Sequence, residues 1–219
     1  MSRIGLLGGS FNPAHLGHRR LSLNALRALG LDEVWWLVSP GNPLKPEDGM
    51  APLAVRLSSA RHAARHAPIR ASAIEAELGT RYTADTLEKL VRRYPQHRFV
   101  WLMGGDNLAQ FHQWRDWRKI ARTVPIAVVA RPGYSARAHA SPAMSWLRRA
   151  VRPAGQAKHW TCWSLPALVL LRFRPDPTSA TRLRAADPAW QRHFSDATRH
   201  PISTVPVPNP RPSTGVLEP

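Results

Sequence analysis

The chain has 219 residues, long enough to bury a sizeable core as one domain. Its 43% hydrophobic content excludes wholesale disorder, and no apolar stretch approaches the roughly 20 residues needed to span a bilayer. With 31 Lys and Arg against 14 Asp and Glu, the net charge of +17 points to a polyanionic partner: nucleic acid, nucleotide phosphates or a membrane surface.

The charge is uneven. Met1–Trp117 holds 15 basic and 10 acidic residues, and Arg118–His200 holds 15 basic and 3 acidic. Cys162 is the single cysteine, which excludes an intramolecular disulfide and a Cys-rich zinc site. It is expected to be an ordinary buried or semi-buried thiol. The apolar run at Ile4–Leu7 is too short and too glycine-broken for a signal peptide, so a cytoplasmic location is expected.

In chain order, short apolar runs at Ile4–Leu7, Val34–Val38, Ile69–Ile74, Phe99–Met103, Ile126–Ala130 and Ala167–Phe173 predict strands. Several are continuously apolar, as expected of strands covered on both faces. Between them Leu16–Leu29, Leu53–Arg65 and Ala84–Tyr94 predict helices, the last ending before Pro95. The β-α-β-α-β order implies a single α/β domain: a doubly wound, Rossmann-like parallel sheet with right-handed crossovers. Ligands of such sheets bind at the carboxyl ends of the strands, near the switch in strand order. Gly133–Cys162 has weak periodicity and reads as a helix-plus-loop insertion. Residues 201–219 contain six prolines and no apolar period, and are expected to be a mobile tail behind a domain of residues 1–200.

The segment Gly8-Gly9-Ser10-Phe11-Asn12-Pro13-Ala14-His15-Leu16-Gly17-His18 leaves the first strand and enters the first helix. Its glycines let backbone approach a ligand, and the helix start offers open N–H groups to an anion. His15 and His18 share one helix face, where imidazoles can donate to phosphate oxygens. Helix capping and packing are the alternative roles for these residues. Near the other end, Thr178-Ser179-Ala180-Thr181-Arg182-Leu183-Arg184 places hydroxyls at a helix start and a guanidinium one turn further, suited to phosphate. A capped surface helix is the alternative.

Together these strings resemble the H-x-G-H signature and the C-terminal Ser/Thr-rich signature of the nucleotidyltransferase superfamily, in its adenylyltransferase branch. More narrowly, Ile4–Arg184 resembles the bacterial nicotinate-nucleotide adenylyltransferase family. The resemblance implies adenylyl transfer from ATP to nicotinate mononucleotide, giving deamido-NAD and pyrophosphate. It implies catalytic roles for His15, His18 and Arg184. It implies ATP or phosphate contacts at Gly8, Gly9, Ser10, Phe11, Lys45, Asp106, Arg131, Ser179 and Thr181.

Asp106 follows a strong strand, where a carboxylate suits ribose hydroxyls; a helix N-cap is the rival role. In Phe111-His112-Gln113-Trp114-Arg115-Asp116-Trp117, the resemblance places Trp114 against the nicotinate ring, since a π face suits a cationic ring. Arg115 stands where relatives carry an aromatic, and Trp117 is expected in the core or rim. Thr83 is expected to cap a helix with Thr86 at its third position, and the resemblance sets Thr83 at the nicotinate-nucleotide pocket. Lys45 would close a loop onto phosphates, with a solvated lysine as the alternative. Arg131 would lie on the adenine side, or in a structural ion pair.

A phosphate is already a competent nucleophile, so direct in-line attack without a covalent intermediate is expected. Mg²⁺ would arrive with ATP, held by phosphates and water rather than by a protein cage. The implied partners are ATP and nicotinate mononucleotide, with a homo-oligomer left open, no membrane, and nucleic acid disfavoured. Three alternatives stand beside this reading. The acceptor could be nicotinamide mononucleotide or another phosphate, the fold could carry degraded activity, or a non-catalytic basic module could bind RNA. After Arg184 the sequence departs from the family, because Asp187-Pro188 interrupts where relatives continue a long helix.

Overall fold

The computed structural model describes residues 1–41, 49–130, 138–173 and 178–199. The expected tail, Lys45 and Arg131 lie outside the described residues.

Strand β1 (Ser2–Gly9) leads to helix α1 (Leu16–Leu29), then β2 (Glu33–Val38), α2 (Leu53–Ala64) and β3 (Ile69–Ser72). A short helix α3 (Ile74–Glu77) precedes α4 (Thr83–Arg93), β4 (His97–Gly104), α5 (Gly105–Gln110), α6 (Trp117–Thr123) and β5 (Ile126–Ala130). The chain closes with α7 (Pro142–Leu147), β6 (Val151–Arg152), a 3₁₀ segment at Ala154–Cys162, β7 (Leu168–Arg172), α8 (Ala180–Ala186) and a 3₁₀ segment at Trp190–Arg199.

The strands form one seven-stranded sheet in the order β3-β2-β1-β4-β5-β7-β6, and every pairing is parallel. The expected α/β doubly wound, Rossmann-like sheet is therefore present. From β1 the chain winds outward through β2 and β3, then returns to the other side of β1 at β4. The switch in strand order lies between β1 and β4, where the two carboxyl ends emerge side by side in register (Leu7 opposite Leu102).

Alternation along each strand divides the core in two. Leu6, Trp35 and Trp101 point to a layer with Leu87, Leu90, Phe111 and Ile120 from α4 to α6. Leu7, Trp36 and Leu102 point to the opposite layer with Leu26, Leu29, Leu57 and Trp160. Both faces are covered, which explains why the strands read as continuous apolar runs. Helix α1 ends at Gly30 in the left-handed region (φ 61°), where the cap N–H donates to Leu26 O.

Four expectations need correction. The strand expected over Ile69–Ile74 stops at Ser72, because the chain turns into α3 at Ile74. The helical boundaries of α2 and α4 shift by one residue. The described part of the insertion, 138–162, is more than helix and loop, since Val151–Arg152 adds a sheet-edge strand on β7. Cys162 is exposed rather than buried or semi-buried. Trp117 lies in the core, with its ring 5.7 Å from Phe111 and 5.2 Å from Trp146. Among the described residues, no helix is long and apolar enough to cross a membrane.

Candidate active site at the sheet switch point

The loop leaving β1 is built around two imidazoles. His15 is the N-cap of α1, and its Nδ1 accepts from Gly17 N at 3.1 Å. His18 Nδ1 accepts from His15 N at 3.2 Å, so the two rings cap the helix reciprocally. An imidazole nitrogen that accepts an N–H carries no proton. Each neutral ring therefore holds its proton at Nε2, where it is a donor. The ring centroids stand 3.8 Å apart. Phe11 forms the floor, 4.7 Å from His18 and 5.0 Å from a stacked Trp36. Trp36 Nε1 donates to Ser22 Oγ, which donates to His18 O, so the β2 core holds this turn of α1.

Gly17 is set by close approach. A Cβ there would lie 2.8 Å from His15 Cε1, 2.9 Å from its Nδ1 and 3.2 Å from Thr178 O. The glycine thus admits both the histidine cap and the C-terminal signature. At Gly8 the space beside the backbone goes to protein, since a Cβ would meet Trp101 Cη2 at 2.6 Å. Ser10 lies between them, its carbonyl accepting from Arg56 at 2.8 Å, and Gly9 O accepts from Ser39 N at 3.0 Å.

The two signatures meet. Arg184 donates from NH1 to Asn12 O at 2.6 Å and from NH2 to Thr181 Oγ1 at 3.4 Å. Ser179 is the N-cap of α8 and accepts from Arg182 N at 3.2 Å, which leaves Thr181 inside the helix. Residues 172 positions apart are thereby fixed at one mouth of the sheet.

Asp106 is the second residue of α5, directly beyond the carboxyl end of β4. The rival N-cap role falls to Gly104 instead, without a side-chain cap bond. Asp106 Oδ1 folds back to where a Cβ of Gly104 would stand. Trp114 is half-buried, packing edge-on against Phe111 (5.5 Å) and Trp101 (6.3 Å), the ring that fills the space at Gly8. Next to it, the Arg115 guanidinium stacks 4.5 Å over the Tyr82 ring. That contact joins the Trp114 segment to the entry of α4, where Thr83 stands half-buried. Thr83 does not cap α4. Tyr82 is the N-cap, Thr83 is the first helical residue and Thr86 the fourth. Thr86 turns back, its Oγ1 donating to Tyr82 O at 3.1 Å.

Three contributors, Arg56, Ser39 and Glu75, lie outside the motifs, and a fourth, Asn12, lies inside the first without a role assigned to it there. Arg56 is 1% exposed, yet donates to four carbonyls: Ala51 (2.8 Å), Ser10 (2.8 Å), Ser39 (2.7 Å) and Pro40 (3.1 Å). Burial lowers its pKa. Asn12, also buried, ties the β1 loop to Gly49 O and Ala51 N. Glu75 is buried on α3, and burial raises its pKa to about 7 against the hydrogen bonds of Ser39 and Thr86. The sole signal for Arg56 is a charge inside the apolar pattern of Leu53–Leu57; Ser39 and Glu75 give none. Among the described residues, no group of three or more His, Cys, Asp or Glu could hold a metal ion.

Known proteins resemble this chain in sequence and in fold. A family described as cytidylyltransferase-like matches residues 6–186. A "Probable nicotinate-nucleotide adenylyltransferase" of Erythrobacter litoralis is 65% identical over 192 residues, covering 88% of each chain. A protein of the same name from Parvibaculum lavamentivorans is 54% identical over 182 residues, covering 83% of this chain and 90% of that one. Among solved structures, Plasmodium falciparum nicotinic acid mononucleotide adenylyltransferase complexed with NaAD shares the fold. Its TM-score is 0.61 at 14% identity, over 84% of this chain and 83% of that one. The chain belongs to the cytidylyltransferase-like family, in its nicotinate-nucleotide adenylyltransferase branch.

Proposed function

We propose that the chain transfers the adenylyl group of ATP to nicotinate mononucleotide, releasing pyrophosphate and deamido-NAD, with residues 1–200 as the catalytic domain. The observation that carries this reading is the bond from Arg184 to Asn12 O, which joins the histidine-capped start of α1 to the C-terminal signature. Two sets of phosphate-suited donors then face one place at the switch point.

The mononucleotide phosphate attacks the α-phosphorus of ATP, the bond to the bridging oxygen breaks, and pyrophosphate leaves with that electron pair. No side-chain nucleophile is required. The protein positions the reactants and balances charge growing on the phosphate oxygens. The Nε2–H groups of His15 and His18 donate to those oxygens. Backbone N–H groups near Gly9–Phe11, at the positive end of the 14-residue α1, cradle the phosphates. Arg184, with Ser179 and Thr181, receives the departing pyrophosphate. Asp106 accepts from the adenylate ribose hydroxyls. Trp114 stacks on the nicotinate ring, and Thr83 lines the same pocket. Lys45 and Arg131 close the phosphate and adenine sides. ATP enters as its Mg²⁺ complex, the ion held by phosphates and water, and the reaction takes place in the cytoplasm.

Purified protein given ATP, Mg²⁺ and nicotinate mononucleotide is expected to release pyrophosphate, faster than with nicotinamide mononucleotide, pantetheine phosphate or flavin mononucleotide. Release with none of the four contradicts adenylyl transfer. A preference for one of the other three reassigns the acceptor.

A further inference from the structure

Between the phosphate loop and the entry of α4 lies a buried polar path that the reaction chemistry does not use. It begins at Arg56, whose guanidinium donates to four backbone carbonyls. These come from the β1 loop (Ser10), the turn after β2 (Ser39 and Pro40) and the chain before α2 (Ala51). A guanidinium is costly to bury, and its planar fork suits a junction that must hold several backbone segments at fixed spacing. Ser39 is the next member. Its N donates to Gly9 O, its O accepts from Arg56, and its hydroxyl, which bonds Gly41 O, stands beside the Glu75 carboxyl and favours its charged form. Glu75 Oε1 also lies 3.4 Å from the Thr86 hydroxyl. Thr86 Oγ1 lies 2.8 Å from Thr80 Oγ1 and 3.1 Å from Tyr82 O, the carbonyl that begins α4.

The protons of this path can be counted. Ser39 has one hydroxyl hydrogen, and it is directed to Gly41 O. The single Thr86 hydrogen is likewise shared among Glu75 Oε1, Thr80 Oγ1 and Tyr82 O, so neither hydroxyl satisfies the carboxylate outright and burial raises the Glu75 pKa to about 7. Glu75 thus presents a polar group of this shape to both the Ser39 and the Thr86 hydroxyls. Glutamine keeps a hydrogen-bonding group in that place; leucine fills the space without one.

We infer that Arg56, Ser39 and Glu75 are positioning residues, which lock the phosphate loop of β1 to the entry of α4 and so set the spacing between the two substrates. This rests on the proposed reaction, in which the first segment holds ATP phosphates and the second borders the nicotinate mononucleotide. In-line transfer depends on that spacing, and misplacement by about 1 Å can cost on the order of 10²-fold.

Four proteins test the inference: wild type, Glu75→Gln, Glu75→Leu and Ser39→Ala. For each, kcat and both KM values are measured with ATP and nicotinate mononucleotide, alongside thermal stability and amide hydrogen exchange. Glu75→Leu removes a buried polar group, so a purely structural carboxyl predicts equal or higher stability with activity unchanged. The positioning role predicts a loss of kcat/KM of about 10- to 10²-fold for both substrates without loss of stability. It also predicts faster exchange at both Gly9–Asn12 and Tyr82–Thr86. Ser39→Ala reproduces both effects, and Glu75→Gln restores both kinetics and exchange. Wild-type kinetics and exchange in Glu75→Leu overturn the inference. If that variant does not fold, the same result in Ser39→Ala overturns it. Exchange is read without substrate. A wild type inactive with nicotinate mononucleotide therefore refutes the reaction, while the exchange pattern still judges the lock.

Discussion

His15 Nδ1 accepts from Gly17 N and His18 Nδ1 accepts from His15 N, so each ring is oriented by backbone before any substrate arrives. Orientation in advance is what a charge-stabilising donor requires, because no reorganisation is left for the transfer step. His18→Ala is expected to lower kcat by about 10²-fold, the scale of removing one such donor. Near-wild-type turnover would remove His18 from the mechanism. Gly17→Ala probes the same cap from the backbone side, since its Cβ would press on the His15 ring at 2.8 Å. A loss of about 10- to 10²-fold in kcat/KM is expected there. The neighbouring Leu16→Ala should stay near wild type, because Leu16 is 55% exposed. The residue types and spacing of this loop were legible in the sequence. The reciprocal cap was not, because it depends on how the chain enters α1 after Pro13. Arg184 was legible as a phosphate-suited cation, but its partner Asn12 lies 172 residues away.

At the scale of elements, short apolar runs, several of them continuous, predicted six of the seven strands, because burial on both faces leaves a strong one-dimensional signal. β6 carries too little sequence for that, with two residues paired to β7 only through the fold. The entry of α4 was misread for a related reason. Thr83 has the chemistry of a cap, but Tyr82 holds the extended conformation before the helix and Thr86 bonds back to it. The Glu75 carboxyl on α3 gives this region a pH signature. Its folded pKa of about 7 lies above the ordinary carboxyl value of 4.5, so the folded chain holds this proton more tightly than the unfolded chain. Its contribution to stability is then full below about pH 4.5 and declines as pH rises towards about 7, by about 3 kcal/mol in all. Relative to Glu75→Gln, the wild type should lose stability across that window in urea unfolding series. A constant difference between the two proteins from pH 4 to pH 8 would contradict the buried, protonated carboxyl.

For the whole molecule, winding outward from β1 in both directions leaves one crevice between the ends of β1 and β4. Into it the fold brings Phe11–His18 from one strand end and Asp106 from the other, and Arg184 closes on the first of these from the far end of the sequence. The net charge of +17 was a fair guide to an anionic ligand and a poor guide to where it binds. Two arginines of the more basic half lie on aromatic faces instead, Arg118 4.5 Å over Trp117 and Arg122 5.5 Å over Trp146. The proposed reaction is one direct displacement at the α-phosphorus, with protein groups that position and neutralise but never bond to the adenylyl group. The stereochemical course of the reaction tests this most directly, using ATP of known configuration at an isotopically labelled α-phosphorus and nicotinate mononucleotide as acceptor. A single in-line attack predicts deamido-NAD with that configuration inverted. Retention would require two displacements through an adenylylated side chain, and would contradict the mechanism built on His15, His18 and Arg184.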